Sequence, residues 1–160
     1  MKNLTIIRHG KAGYELGLSD KQRILNSRGI DNSILVAKKY LPYLKPEYQI
    51  VSSSANRAFM TAEIFARIFE VSEDKIVKNN NLYTFDGDEL AEIIKQTDNN
   101  VTNLLIFGHN DGITDFVNKF GDLSIDNVPT SGLVSINFET NNWANIKNGH
   151  IIKTIFPNEQ

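Results

Sequence analysis

The stretch LTIIRHG at residues 4–10 is a short apolar run that stops at two basic side chains and a glycine. Its β-branched residues are typical of a buried strand, so we predict a strand over Leu4–Arg8. The pattern recurs further along the chain, where Tyr48–Ser52 and Leu104–Phe107 are also followed by polar residues. Three strand ends therefore deliver the polar side chains that this sequence offers for chemistry.

Amphipathic helical patterns alternate with these strands. The helix candidates are Ile30–Leu44, Ala58–Phe69, Leu90–Ile94 and Ile113–Phe120; the other strand candidates are Lys75–Lys78, Leu133–Phe138, Ile151–Phe156 and Trp143–Ile146. Asn26 or Ser27 is suited to cap the first helix, and Pro42 to end it. The alternation predicts one α/β domain over residues 1–160, a three-layer α/β/α sandwich with a mostly parallel sheet.

Composition excludes several classes of function. The 160 residues carry 17 Lys and Arg against 19 Asp and Glu, a net charge of −2, so no basic surface for nucleic acid or anionic membranes is expected. The lack of cysteine excludes disulfides and cysteine nucleophiles. No apolar run reaches the length of a signal peptide or a membrane span, so we expect a cytoplasmic protein.

Two arginines and two histidines follow the predicted strand ends: Arg8, His9, Arg57 and His109. Ligands of such sheets bind beyond the carboxyl ends of the strands, where we expect these four side chains to converge. Arginine matches phosphate oxygens with a rigid fork, and a neutral imidazole is a good nucleophile. The set is suited to phosphoryl chemistry without a metal or cofactor. His150, in a turn before the last strand, is interpreted as structural.

Five segments carry a family resemblance: LTIIRHGKA (4–12), DKQRILNSRG (20–29), SSANRAFMTA (53–62), GHN (108–110) and PTSG (129–132). They resemble the histidine phosphatase superfamily, also called phosphoglycerate mutase-like or RHG, and within it the small SixA-type phosphohistidine phosphatases. The resemblance spans nearly the whole chain. The departures are Ile24 and Asp111 in place of proline, and Asn26 in place of threonine.

The resemblance implies a phosphoglycerate mutase-like fold and a phosphatase in which His9 forms a covalent phosphohistidine. The phosphate-binding residues that it implies are Arg8, Arg57, His109, Arg23 and Asn110. Arg23 is expected at the rim of the site. The Nδ1–H of His9 is expected to donate to a backbone carbonyl, with Gly10 as the acceptor, to fix the tautomer.

The resemblance also implies a substrate, although the sequence leaves alternatives open. A phosphohistidine-carrying protein fits best, since its imidazole leaves more readily than an alkoxide and makes a general acid less necessary. Asp86, Asp88 and Asp111 are the candidates if an acid is used. The alternatives are a phosphatase of small phosphomonoesters or nucleotides, and a phosphate-binding module without catalysis.

Overall fold

Strand β1 (Lys2–Arg8) lies inside a six-stranded sheet in the computed structural model of the protein, which describes residues 1–157. The other strands are β2 (Tyr48–Ser53), β3 (Ile76–Asn79), β4 (Asn103–Gly108), β5 (Leu133–Phe138) and β6 (His150–Ile155). Their order in the sheet is β3-β2-β4-β1-β5-β6. The first four in this order are parallel, whereas β5 and β6 are antiparallel to their neighbours. The predicted mostly parallel sheet is thus confirmed.

Four α-helices in residues 1–157 cover the two faces of the sheet in pairs. They are α1 (Ser27–Tyr40), α2 (Asn56–Ile68), α3 (Gly87–Lys95) and α4 (Gly112–Phe120). On β1, Leu4 and Ile6 pack in the core with α3 and α4, while Ile7 packs with α1 and α2. This alternation of side chains confirms the three-layer α/β/α architecture. No helix in the described part of the chain has the length and apolarity to cross a membrane.

The segment around Trp143 is a turn, so its prediction as a strand is wrong. Trp143–Asn145 form a short 3₁₀ helix, and the side chain of Asn142 accepts a hydrogen bond from the backbone N–H of Ala144. The Trp143 ring is fully buried, and its Nε1–H donates to the carbonyl of Val101 at 2.8 Å. The apolar character of the segment therefore serves core packing from a turn.

Helix α1 begins and ends where the sequence predicts. The Asn26 side chain accepts a hydrogen bond from the backbone N–H of Gly29 at 2.9 Å, so Asn26 is the N-cap and Ser27 is the first helical residue. The helix ends at Tyr40, and a 3₁₀ turn containing Pro42 follows. The cap fixes the first turn of α1 against the loop that follows β1.

Two glycines allow α1 to approach this loop closely. A Cβ on Gly29 would overlap the backbone carbonyl of Lys11, and a Cβ on Gly10 would lie 2.9 Å from the carbonyl oxygen of Gly29. The backbone N–H of Asn26 donates to the same Lys11 carbonyl at 3.0 Å. Backbone therefore packs on backbone, and the loop after β1 has a fixed position.

We predict that Gly29→Ala destabilises the protein by roughly 2–3 kcal/mol, because the added methyl group forces the backbone of α1 away from Lys11. In an ordinary helix interior the same change stabilises by about 1 kcal/mol, so the sign of the effect is diagnostic. Urea unfolding measures it. Gly13→Ala is the control, since a Cβ there meets no atom within 4 Å. Equal or greater stability of Gly29→Ala would contradict this packing.

Candidate active site

Three polar segments meet at the carboxyl edge of the parallel strands. Arg8 ends β1 and His9 follows it, Arg57 lies in the first turn of α2 directly after β2, and His109 follows β4. Because β2, β4 and β1 are parallel neighbours, their ends lie side by side. The structure therefore brings together the four residues that the sequence places at strand ends.

The His9 ring is held so that one of its nitrogens is free of hydrogen. Nδ1 lies 2.7 Å from the carbonyl oxygen of Gly10, and since a carbonyl can only accept, Nδ1 carries the proton. The remaining nitrogen, Nε2, keeps its lone pair and accepts a hydrogen bond from Arg57 Nε at 3.4 Å. The backbone N–H of Gly10 donates to Thr61 Oγ1 at 2.9 Å. The bond to Gly10 is the one expected from the sequence, and it leaves Nε2 as the ring nitrogen with a lone pair.

The His109 ring is buried beside His9, with 5.2 Å between the ring centroids. Its Nε2 lies 2.8 Å from Ser53 Oγ, and Ser53 Oγ also accepts from the backbone N–H of Ala55 at 3.2 Å. Its Nδ1 lies 3.4 Å from Arg57 Nη2. One edge of the ring is thus anchored to the end of β2, and the other is directed toward Arg57.

The Arg57 guanidinium contacts both histidine rings, and only 3% of its side chain is exposed. Its Nη1 donates to the backbone carbonyl of Asp20 at 2.6 Å, and Nη2 donates to Asp20 Oδ2 at 3.1 Å. All three guanidinium nitrogens therefore have defined partners, which fixes the orientation of the planar group.

Arg8 adds a second guanidinium to the site. Nη1 donates to the carbonyl of Val128 at 2.9 Å, whereas Nε is buried without a hydrogen-bond partner among the described residues. Burial lowers the pKa of Arg8, and the negative charge of the exposed Asp111 opposes that shift. The charge of Arg8 reaches the site, since it contributes to the lowered pKa of His9.

The Pro129–Gly132 segment holds the loop after β1 from the far end of the chain. Ser131 has a left-handed backbone (φ 63°), and its N–H donates to the carbonyls of Arg8 and His9 at 3.1 and 3.0 Å. Its side chain is hydrogen-bonded to Ser33 Oγ on α1 at 2.9 Å. This segment therefore fixes the backbone of Arg8 at the end of β1 and of His9 directly after it.

Both site histidines are neutral at pH 7. Burial lowers the pKa of His9 to about 4, with the bond to Gly10 opposing the shift and the charge of Arg57 adding to it. Burial also lowers the pKa of His109 to about 3, and the neighbouring His9 and Arg57 add to that shift. A neutral imidazole beside guanidinium groups can attack an electrophile while the guanidinium groups bind its oxygens.

Arg23 lies at the rim, as predicted from the sequence. Its Nε donates to the carbonyl of Gly13 and its Nη1 to Asp20 Oδ1, both at 3.1 Å. The Tyr14 ring covers its guanidinium at 3.8 Å from the ring centroid. Arg23 thus connects the loop after β1 to the carboxylate that binds Arg57.

The side chain of Asn110, which the sequence predicts to bind phosphate, is hydrogen-bonded within the protein. Its Nδ2 donates to Asn127 Oδ1 at 2.8 Å and to the Val128 carbonyl at 3.3 Å. Its Oδ1 accepts from the backbone N–H of Thr114 at 3.0 Å. Both amide hydrogens already have acceptors, so Asn110 stabilises the start of α4 and the loop that contacts Arg8.

None of the three carboxylates considered as general acids is hydrogen-bonded to the site histidines within residues 1–157. Asp86 caps α3 by accepting from the backbone N–H of Asp88 at 2.8 Å. Asp88 pairs with Lys119 at 3.1 Å on the surface. Asp111 is exposed, and its charge acts on Arg8. The site is therefore built from histidines and arginines.

Four further residues contact the site although the sequence did not single them out: Asp20, Ser53, Thr61 and Tyr83. Asp20, Ser53 and Thr61 lie within the motifs quoted above, so the spacing of those motifs contained a signal for them. Tyr83 has no such signal. Its hydroxyl donates to Asp20, and its ring packs 5.3 Å from the His109 ring. Tyr83 therefore lines the site, which only the structure shows.

The lowered pKa values of the two histidines predict a pH-dependent stability. Both rings take up a proton near pH 6.5 when unfolded but only near pH 4 and pH 3 when folded, so the unfolded state binds more protons and stability falls as pH drops below 6.5. Between pH 7.5 and 4.5 the loss due to these rings amounts to roughly 3–5 kcal/mol.

Urea unfolding of wild type and of the His9→Asn/His109→Asn double variant at several pH values measures this loss. The double variant should lose much less stability toward pH 4.5. The exposed His150 is the control: His150→Asn should keep the wild-type loss. Parallel pH curves for wild type and the double variant would show that the two rings are not desolvated.

Comparison with known proteins identifies the fold. No protein-family model and no curated protein matches the sequence. Among solved structures, the protein histidine phosphatase SixA complexed with tungstate matches with a TM-score of 0.80 at 20% identity, over 97% of each chain. A protein assigned as SixA from Agrobacterium tumefaciens matches at 0.73 and 21% identity, over 96% of this chain and 97% of that one.

A more distant match is the mycobacterial glucosyl-3-phosphoglycerate phosphatase, with a TM-score of 0.65 at 12% identity, over 94% of this chain and 97% of that one. The resemblance found in the sequence motifs is thus confirmed at the level of the fold. The chain has a phosphoglycerate mutase-like α/β fold that matches the solved SixA structures.

Proposed function

We propose that the protein is a phosphatase that takes the phosphoryl group of its substrate onto Nε2 of His9 and then releases it to water. The observation that carries the proposal is the state of His9: a neutral ring whose Nδ1–H is bound to Gly10 and whose Nε2 lone pair lies beside Arg57. A ligand-binding site without catalysis would not require a nucleophile prepared in this way.

The reaction has two displacement steps at phosphorus. His9 Nε2 attacks in line, the bond to the leaving group breaks with its electron pair, and the leaving group takes a proton from water. Water then attacks the phosphohistidine, and inorganic phosphate leaves as Nε2 regains its lone pair. Arg8 and Arg57 bind the equatorial oxygens. His109 donates to one of them from Nδ1–H, in the tautomer whose Nε2 accepts from the hydroxyl of Ser53. These contacts strengthen in the transition state. Because the two guanidinium groups supply the positive charge, the proposed reaction uses no metal or cofactor.

The proposed substrate is a phosphohistidine side chain of a protein. Asp86 and Asp88 are engaged elsewhere, and Asp111 is exposed without a hydrogen bond to the site histidines within residues 1–157. This suits an imidazole leaving group because it departs without a strong acid. Exposed apolar side chains in the loop after β1 and beside His109 favour a protein-sized substrate. Tyr14 and Leu16 in the loop after β1 are 85% and 102% exposed, and Phe85 beside His109 is 50% exposed. Exposed apolar side chains around a charged site are typical of a surface that contacts another protein.

A phosphatase of small phosphomonoesters is the second candidate function. It is favoured by the match to a solved structure whose protein is a glucosyl-3-phosphoglycerate phosphatase. The same nucleophile and arginines would serve both substrates, so the two functions differ in the leaving group and in the use of the rim.

Covalent labelling tests the proposed mechanism. Rapid-quench mass spectrometry with EDTA present should find phosphate on His9, in an acid-labile and alkali-stable form, as expected for a phosphoramidate. His9→Ala should lose both labelling and turnover. His109→Ala should slow the reaction by about 10²–10³-fold, the usual effect of losing one donor to the transition state.

His150→Ala is the matched control for this experiment, since His150 is exposed and bonded to Asp122, away from the site. It should keep wild-type activity. Phosphate on another residue, full activity of His9→Ala, or complete loss of activity with EDTA would each refute the mechanism.

A comparison of substrates tests the proposed specificity. The kcat/KM for a phosphohistidine-carrying protein should exceed that for sugar phosphates by roughly 10²-fold or more. Leu16→Asp should lower kcat/KM for the protein substrate and leave that for sugar phosphates unchanged, because Leu16 is fully exposed in the loop after β1. A higher kcat/KM for sugar phosphates would favour the second candidate.

A further inference from the structure

Asp20 places a carboxylate beside the arginine that the proposed reaction uses to bind phosphate. It accepts hydrogen bonds from Arg57 Nη2 and Arg23 Nη1, each at 3.1 Å, and from the hydroxyl of Tyr83. The phosphatase mechanism gives it no chemical step, and a carboxylate repels a phosphate dianion. The position of Asp20 therefore needs a physical reason.

The two edges of the Arg57 guanidinium provide that reason. The Nε–Nη2 edge faces the two histidine rings, with 3.4 Å from Nε to His9 Nε2 and 3.4 Å from Nη2 to His109 Nδ1. The Nη1–Nη2 end is bound by Asp20 through its backbone carbonyl at 2.6 Å and its carboxylate at 3.1 Å. Because the guanidinium is planar and rigid, holding one end sets the direction of the other edge.

Asp20 is itself anchored to several parts of the site wall. Tyr83, which donates to it, packs against the His109 ring. Asp20 begins a short 3₁₀ turn, Asp20–Gln22, and the side chain of Asn56 at the start of α2 donates to the Gln22 carbonyl at 3.1 Å. The carboxylate is thus held by groups other than Arg57.

We propose, on the basis of the phosphatase function above, that Asp20 is a positioning residue that fixes Arg57 with its Nε–Nη2 edge toward the phosphoryl group. The hydrogen bond from Tyr83, together with those from Arg23 and Arg57, lowers the pKa of Asp20 to about 2. The group is therefore a carboxylate throughout the neutral range, and it acts as an acceptor and not as an acid.

Removing the charge of Asp20 distinguishes a positioning role from a purely electrostatic one, because the two roles predict opposite changes in the affinity for a dianion. If only charge mattered, Asp20→Asn would relieve repulsion and tighten the binding of a dianion. If Asp20 positions Arg57, the variant should bind tungstate, a tetrahedral dianion like phosphate, about tenfold more weakly or worse. Isothermal titration calorimetry measures the dissociation constant, and unchanged or tighter binding would overturn the proposal.

The control is Asp88→Asn, which removes another carboxylate from an exposed ion pair and should change tungstate binding by less than about twofold. Tyr83→Phe keeps the ring against His109 but removes one donor to Asp20. It should weaken binding in the same direction by a smaller factor, and it is the variant that decides if Asp20→Asn does not fold. Wild-type affinity of Tyr83→Phe in that case would overturn the proposal.

A double-mutant cycle with Arg57→Ala shows whether Asp20 acts through Arg57. In that background Asp20→Asn should weaken tungstate binding by less than about twofold, or tighten it, since the residue that it positions is gone. An equal loss in both backgrounds would mean that Asp20 does not act through Arg57. Tungstate binding needs no turnover, so absence of phosphate on His9 would reject the phosphatase mechanism independently of these results.

Discussion

The hydrogen bond from His9 Nδ1 to the Gly10 carbonyl decides what this site can do, because it selects the nitrogen that keeps the lone pair. The rest of the loop can be understood as support for that bond. Thr61 binds the N–H of Gly10, Ser131 binds the carbonyls before it, and Gly29 lets α1 pack on the loop backbone. The imidazole of His9 is thereby held in a defined orientation although it lies on a loop.

The charged groups of the site are arranged in a way that favours the binding of an anion. Burial keeps both histidines neutral, which limits the positive charge of the site to its arginines. Arg8 has a buried Nε–H without an acceptor, and Arg57 turns one edge toward the rings. Asp20 offsets part of this charge from outside while leaving that edge accessible. A dianion that enters such a site meets donors already oriented, and little reorganisation is needed.

The sequence was sufficient for the features that depend on local pattern. Short apolar runs and helical faces predicted the sheet and the helices, and the strand ends predicted where Arg57 and His109 would meet His9. The sequence did not predict features that depend on contacts between residues far apart in the chain. The apolar character of the Trp143 segment is the same in a buried turn as in a strand, and the Tyr83 hydroxyl finds its acceptor 63 residues away.

The position of β1 in the sheet has a consequence for the order of folding. Leu4 pairs with Leu104 on one side and with Ile136 on the other, and Ser131 fixes the carbonyls that flank the nucleophile. Folding must therefore close loops of roughly a hundred residues before His9 is in place, which makes this topology slow to form compared with one built from local contacts. As the chain leaves the ribosome, its reactive arrangement arises only when β5 joins the sheet. The arrangement of His9 with its supporting hydrogen bonds is then completed late, after most of the polypeptide has been made.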